Sequence, residues 1–167
     1  EYRVEPFHKV TGMFDVVLFS VSLHHMTDLQ GAVGLAQLDQ LKRFIKDRDR
    51  WASWYIQELS SIPWLRMPER PREGTHAWQA FVTYIDPATA PMSRNHLMER
   101  LQEAGISTRP GTHAVHMLGY YAQRFGLKPT DYPRAMDCDH NTMAIPLHNQ
   151  MSEDDYQHVV KTLKDMS

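Results

Sequence analysis

Several common features are scarce or missing in this chain of 167 residues. The single cysteine, Cys138, excludes an internal disulfide framework and suits the cytoplasm. No apolar run approaches the roughly 20 residues that a membrane helix needs. The net charge of −2 gives no basic surplus for binding nucleic acid. Glu1 stands where an initiating methionine is expected, and nothing near it resembles a signal peptide, which is consistent with a fragment or a processed chain.

The motifs of several enzyme classes are also absent. Neither of the glycine-rich phosphate-binding patterns, GxGxxG and GxxxxGK[ST], occurs, and no GxSxG nucleophile elbow is present. A nucleotidase or a hydrolase therefore has no support. His113 and His116 lack a nearby third ligand, so we predict no metal site.

The longest predicted element is one continuous helix over residues 26–59. Thr27 and Gln30 fit a capping box, and apolar residues then recur at spacings of three, four and seven. A helix of about 33 residues is roughly 50 Å long. Such a helix is expected to bridge two bodies or lie along a partner; a long surface helix of one small domain is the alternative. We expect its aromatic region around Trp51 and Tyr55 to be exposed.

The remaining pattern predicts an α+β fold, with a small three-stranded sheet and helices on one side. The predicted strands are residues 77–85, 106–109 and 142–146. The main predicted helices are residues 94–104, with Ser93 as the N-cap, and residues 153–166, where Ser152 and Asp155 fit a capping box. The chain is accordingly divided into an N-terminal extended segment (residues 1–26), a long bridging helix (residues 27–60) and a small α+β domain (residues 61–167).

The densest polar cluster follows the second predicted strand. It holds Arg109, His113 and His116, with Tyr121 shortly after. A guanidinium binds phosphate or carboxylate in a bidentate manner, and histidine donates to anionic oxygens or acts as an acid or base near neutral pH. This pattern favours a binding loop. The alternative is that Arg109 pairs with a carboxylate while both histidines cap backbone groups.

Three ordered stretches resemble one protein family. Residues 26–38, MTDLQGAVGLAQL, look like the opening of the long inter-domain helix of DegT/DnrJ sugar aminotransferases. Residues 105–116, GISTRPGTHAVH, with the tyrosine pair that follows, are similar to the substrate-side loop of the perosamine-synthetase-like branch. The closing IPLH and MSEDD also match in order and spacing. The resemblance covers about residues 14–167.

The resemblance implies the C-terminal part of a fold-type-I enzyme. Such enzymes use pyridoxal phosphate (PLP) to move an amino group from glutamate onto a keto-sugar nucleotide, in an active site at a dimer interface. Their Schiff-base lysine lies in a large domain upstream of the long helix, and Lys9 is too close to that helix to serve. We therefore expect no transamination by this chain alone. The open alternatives are a stand-alone non-catalytic remnant, an interaction module, or one half of a split aminotransferase.

The resemblance also implies site residues and partners. His25 stands where the family has an arginine that helps to hold the cofactor phosphate, and it replaces that arginine only partly. Arg109 is expected to contact an anionic or hydroxyl-rich part of the substrate, His113 and His116 the sugar, and Tyr121 a ring or hydroxyl. We expect a cytoplasmic protein that forms a homodimer or joins a large domain, and that does not bind PLP alone.

Overall fold

The computed structural model describes residues 28–166. It divides the chain into two compact units, one up to Arg43 and one from Phe44 onwards, and each is described by itself. The predicted N-terminal segment (residues 1–26), the cap at Thr27, Lys9 and His25 lie outside the described residues.

The prediction of one continuous helix is wrong. Helix α1 spans Asp28–Leu38 and helix α2 spans Leu41–Leu59, with a turn at residues 39–40 between them. The Gln40 N–H donates to the Gln37 carbonyl, an i to i−3 bond that tightens the chain. Aspartate at position 39 favours this break because its side chain competes for backbone hydrogen bonds outside helices.

Helix α2 packs through the predicted face. Ala52, Tyr55 and Leu59 are fully buried at positions i, i+3 and i+7. The expectation that the aromatic region is exposed is wrong: Tyr55 is 0% exposed, and the ring of Trp51 stacks on that of Tyr156 at a centroid distance of 4.1 Å. Tyr55 therefore belongs to the core, and Trp51 and Trp54 are partly buried against it.

The α+β class is confirmed, with a sheet of four antiparallel strands rather than three. The strands are β1 (Leu65–Arg66), β2 (Phe81–Ile85), β3 (Arg109–Pro110) and β4 (Thr142–Ile145), in the spatial order β1-β2-β4-β3. Strand β1 was missed because two residues are too few to show alternation. Strand β2 starts later than predicted because Trp78 has a positive φ of 49°, which an extended strand cannot include.

One face of the sheet carries the core. Phe81 lies opposite Ile145, and Thr83 lies opposite Met143, so these alternating side chains share a face. All four are buried, and the Thr83 hydroxyl donates to the Met143 carbonyl at 3.0 Å. The other helices are α3 (Arg94–Glu103), α4 (Gly119–Phe125), α5 (Pro133–Asn141) and α6 (Glu153–Asp165).

Helices α3 and α6 complete the core. Leu97 and Leu101 of α3, and Val159, Val160 and Leu163 of α6, are buried. Both helices begin at predicted serine caps, Ser93 and Ser152, and the latter forms a capping box with Asp155. On the opposite face of the sheet, the Tyr84 hydroxyl donates to Asp137 of α5 at 3.0 Å.

The segment that crosses from β1 to β2 is tied to helix α2 through Asp49. This carboxylate accepts hydrogen bonds from the Trp78 indole at 2.8 Å and from Arg70 at 2.7 Å. The bond from Trp78, together with that from Arg70, holds the pKa of Asp49 below its usual range. The bond to Asp49 therefore helps to hold Trp78, whose backbone lies in the left-handed region.

The core predicts a clear contrast between two leucines. Leu59→Ala should lower the free energy of unfolding by about 2–5 kcal/mol, because Leu59 is 0% exposed and truncation leaves a cavity. Leu35→Ala, at a side chain that is 66% exposed, should change it by less than about 0.5 kcal/mol. Urea unfolding measures both variants; equal losses would contradict this assignment of the core.

Acid should weaken the fold partly through Asp49. A carboxylate whose pKa is lowered on folding stabilises the protein above its unfolded pKa, and that stabilisation is lost as the pH falls through the lowered value. Asp49→Asn should therefore show a smaller loss of unfolding free energy than the unchanged chain between about pH 5 and pH 2. Urea unfolding across this range is the measurement, and parallel pH profiles would contradict the prediction.

Candidate functional site

The loop after β3 is fixed to the sheet at Gly111. Its N–H donates to the Thr142 carbonyl at 3.0 Å. A Cβ at this position would lie 2.7 Å from Thr142 Oγ1 and closer still to Val82 Cγ1. Because a side chain does not fit, only glycine permits this close approach of loop and sheet. The start of the polar loop is therefore set by backbone geometry.

His113 and His116 diverge from this fixed point. The His113 side chain is 67% exposed, and its Nδ1 lies 3.6 Å from Asp139 Oδ1 of α5. His116 stands on the 3₁₀ turn Val115–Met117, is 8% exposed, and has its ring 5.0 Å from that of Tyr132. The buried His116 Nε2 has no hydrogen-bond partner among residues 28–166. One histidine thus faces solvent and the other faces the interior.

Tyr121 belongs to an exposed aromatic surface on helix α4. Its ring lies 5.3 Å from that of Tyr120 and 6.5 Å from that of Phe125. The same part of the chain exposes other large apolar side chains. We call this set the α4 aromatic surface: Val115, Leu118, Tyr120, Tyr121, Phe125 and Tyr132.

Arg109 lines a separate groove, which we call the Arg109 groove. This cavity of about 540 Å³ lies between the chain that precedes β3, the end of β4 and the start of α6. Its walls are formed by Gly105, Ile106, Ser107, Arg109, Ala144, Ile145, Pro146, His148, Met151, Asp155, His158 and Val159. The prediction of one polar cluster is therefore wrong. Arg109 lines the groove, whereas His113 lies near Asp139 and His116 lies near Tyr132.

Three polar residues of the groove were missed. Asp155 and His158 lie three positions apart on α6, and His148 follows β4. The spacing of Asp155 and His158 on one helical face was a usable signal, but Asp155 was predicted only as the capping partner of Ser152. Asp155 does accept from the Ser152 N–H and hydroxyl, each at 2.8 Å, and these bonds hold its pKa below the usual range.

The contacts of Arg109 and His113 differ from those that the alternative to a binding loop predicts. Within residues 28–166, no carboxylate lies within ion-pair distance of Arg109, so the pairing that the alternative predicts is not found there. His113 faces a carboxylate rather than a backbone group. Instead, His158 Nε2 is the ring nitrogen that meets a backbone carbonyl, that of Ala104 at 2.9 Å.

The lining of the Arg109 groove does not fit PLP. The lining of the Arg109 groove includes no lysine that would form the Schiff base. The same lining includes the carboxylate of Asp155, which would repel a cofactor phosphate. The groove therefore lacks both the lysine and the neutral or cationic surroundings that PLP needs.

Comparison with known proteins decides the family. The profile of the DegT/DnrJ/EryC1/StrS aminotransferase family matches residues 16–164. The chain belongs to this family. The match includes helix α2, the loop that Gly111 fixes, and helix α6, so the resemblance noted in the sequence is confirmed.

Individual relatives of the family agree. The chain is 35% identical over 143 residues to the spore coat polysaccharide biosynthesis protein SpsC of Bacillus subtilis (strain 168), covering 85% of this chain and 37% of that protein. The sugar aminotransferase CalS13 of Micromonospora echinospora has 26% identity and a TM-score of 0.66, over 81% of this chain and 34% of its own.

A third comparison shows the fold alone. The protein Spr1654 of Streptococcus pneumoniae, solved in a PLP form, has a TM-score of 0.76 at 23% identity, over 84% of this chain and 36% of its own. The chain thus spans little more than a third of the length of the relatives that it matches. No helix within residues 28–166 is long and apolar enough to cross a membrane.

The glycine contact predicts how the loop responds to substitution. Gly111→Ala should shift the amide resonances of the loop and lower the unfolding free energy by about 1–3 kcal/mol, because the new Cβ overlaps Val82 and Thr142. Gly119→Ala is the matched control, since a Cβ there meets nothing within 4 Å. NMR spectra and urea unfolding test the pair, and an unperturbed Gly111→Ala protein would show that the contact is absent.

Proposed function

We propose that this chain is the C-terminal domain of a PLP-dependent aminotransferase that acts on keto-sugar nucleotides. The family match over residues 16–164 carries the proposal. SpsC is named for polysaccharide biosynthesis and CalS13 as a sugar aminotransferase, which supports a sugar substrate. The predicted substrate loop also has a defined geometry, because Gly111 fixes its start to the sheet.

The loop residues suggest how a sugar nucleotide would be contacted. His113 is exposed, with its Nδ1 3.6 Å from Asp139 Oδ1, and its ring is open to a sugar oxygen. Tyr121 offers an exposed ring and hydroxyl. His116 is buried, so its proposed contact with the sugar requires a substrate group that reaches its unpartnered Nε2. Arg109, in its own groove, is the proposed ligand for an anionic group.

The remaining parts of the proposal concern the whole enzyme. We propose that PLP and its lysine are supplied from outside the described residues, with His25 as a weak contact to the cofactor phosphate. The chain alone would then not carry out transamination. A homodimer or a large domain would complete the active site, in the cytoplasm.

One observation favours a second candidate function. The α4 aromatic surface leaves Tyr120 65% and Phe125 61% exposed. Tyrosine and other aromatic residues are enriched at protein interfaces. A stand-alone interaction module without a small ligand, or one half of a split aminotransferase, would use such a surface. The coding sequence on either side of this chain distinguishes a fragment from a separate subunit.

NMR titration of the 167-residue chain with two keto-sugar nucleotides, UDP-4-keto-6-deoxy-N-acetylglucosamine and GDP-4-keto-6-deoxymannose, tests the proposal. Amide shifts should concentrate between Gly111 and Tyr121, because His113 and Tyr121 are the exposed contacts. His113→Ala should weaken binding about tenfold, whereas His96→Ala, at another exposed histidine on α3, should not. Shifts confined to other parts of the chain, or none with either compound, would contradict the proposed substrate class.

A further inference from the structure

We propose that the Arg109 groove binds a free α-amino acid that carries an apolar side chain. The groove presents an arginine, a carboxylate and an apolar wall in one cavity. These groups match the carboxylate, the ammonium and the side chain of such a ligand. The inference goes beyond the proposed sugar-nucleotide function. Arg109 is the one residue that the two proposals share. Leucine binding in the groove and sugar-nucleotide binding at the loop are measured by separate NMR signals, so either proposal can fail without the other.

The apolar wall sets the size and kind of side chain. Ile106, Ile145 and Val159 line the groove while being only 4%, 3% and 2% exposed, so they form a firm surface backed by the core. Met151 adds a flexible, polarisable side chain that adapts to a branched ligand. A volume of about 540 Å³ lies within the usual range for small-molecule sites and readily holds an amino acid the size of leucine.

Arg109 supplies the cationic end. Its guanidinium has no ion-pair partner within residues 28–166, although four other arginine– or lysine–carboxylate pairs are found there. The planar guanidinium fork binds a carboxylate through two parallel hydrogen bonds. An incoming carboxylate therefore meets an arginine that does not first have to release a neighbour.

Asp155 supplies the anionic end. Both hydrogen bonds from Ser152 fall on its Oδ2, so Oδ1 remains to accept from an ammonium group. His158 is held in place by its 2.9 Å contact with the Ala104 carbonyl, and His148 Nδ1 accepts from the Gln150 N–H at 3.3 Å. The two histidines are thus engaged in backbone contacts, and Asp155 is the one carboxylate that lines the groove.

The charge arrangement also determines which amino acids are rejected. A second carboxylate on the ligand would meet Asp155 and the apolar wall, where it loses hydration without gaining a cation. Glutamate and aspartate should therefore bind more weakly than leucine. A plain carboxylic acid keeps the contact with Arg109 but leaves Asp155 without a partner.

Methyl NMR of the full 167-residue chain, labelled at isoleucine and methionine, tests this inference with L-leucine as the probe. Saturable shifts are expected at Ile106, Ile145 and Met151. Arg109→Gln should weaken the binding about tenfold or more, since a charged hydrogen-bonding partner is removed. Arg100→Gln is the matched control, because Arg100 is an exposed arginine whose ion-pair partner is Glu103 on its own helix. Thermal unfolding verifies that both variants are folded.

Three further probes separate the two charged ends of the ligand. L-leucinamide lacks the carboxylate and 4-methylpentanoate lacks the ammonium; each should bind several-fold more weakly than leucine, as should L-glutamate. Equal binding of 4-methylpentanoate and leucine would overturn the role of Asp155 and leave a simple carboxylate site. No methyl shifts with leucine, or shifts that Arg109→Gln leaves unchanged, would overturn the inference. Sugar-nucleotide binding at the Gly111–Tyr121 loop is read separately from amide shifts.

Discussion

The aromatic stack around Tyr156 is the contact on which the unit from Phe44 onwards depends. Its ring lies 4.1 Å from that of Trp51 and 5.3 Å from that of Tyr55, and Tyr55 in turn meets Phe81. Helices α2 and α6 are thereby joined to strand β2. Both tyrosine hydroxyls donate to the chain just after β4, to the carbonyls of Pro146 and His148. The stack therefore shapes the wall of the Arg109 groove as well as the core.

The segments before and after strand β3 form two different candidate sites. Before β3, the chain forms the groove with α6; after β3, it forms the loop that Gly111 fixes against Thr142. Two residues of strand, Arg109 and Pro110, are enough to direct these segments apart. The function proposed for the loop rests on the family match, whereas the ligand proposed for the groove rests on the charged and apolar residues that line it.

Local features were predictable from the sequence because they depend on neighbouring residues. The caps at Ser93 and Ser152 and the buried face of α2 follow from short spacings, and the structure confirms them. Non-local features were not predictable. Tyr55 is buried by Tyr156 from 101 positions away in the chain, and β1 exists only through pairing with β2. Arg109 and His116 are only seven positions apart in the sequence, and this short separation likewise did not indicate that one lines the groove while the other packs near Tyr132.

The buried Nε2 of His116 lacks a hydrogen-bond partner among the described residues, which destabilises the turn that carries it. A buried nitrogen that lacks a hydrogen bond costs about 1–3 kcal/mol relative to one that has a partner. This cost is present as long as Nε2 remains unpaired, and it is removed by any hydroxyl or carbonyl that reaches it. The stability of the turn Val115–Met117 is consequently coupled to binding. A molecule that supplies a hydrogen-bond partner for His116 also stabilises the turn that carries this residue.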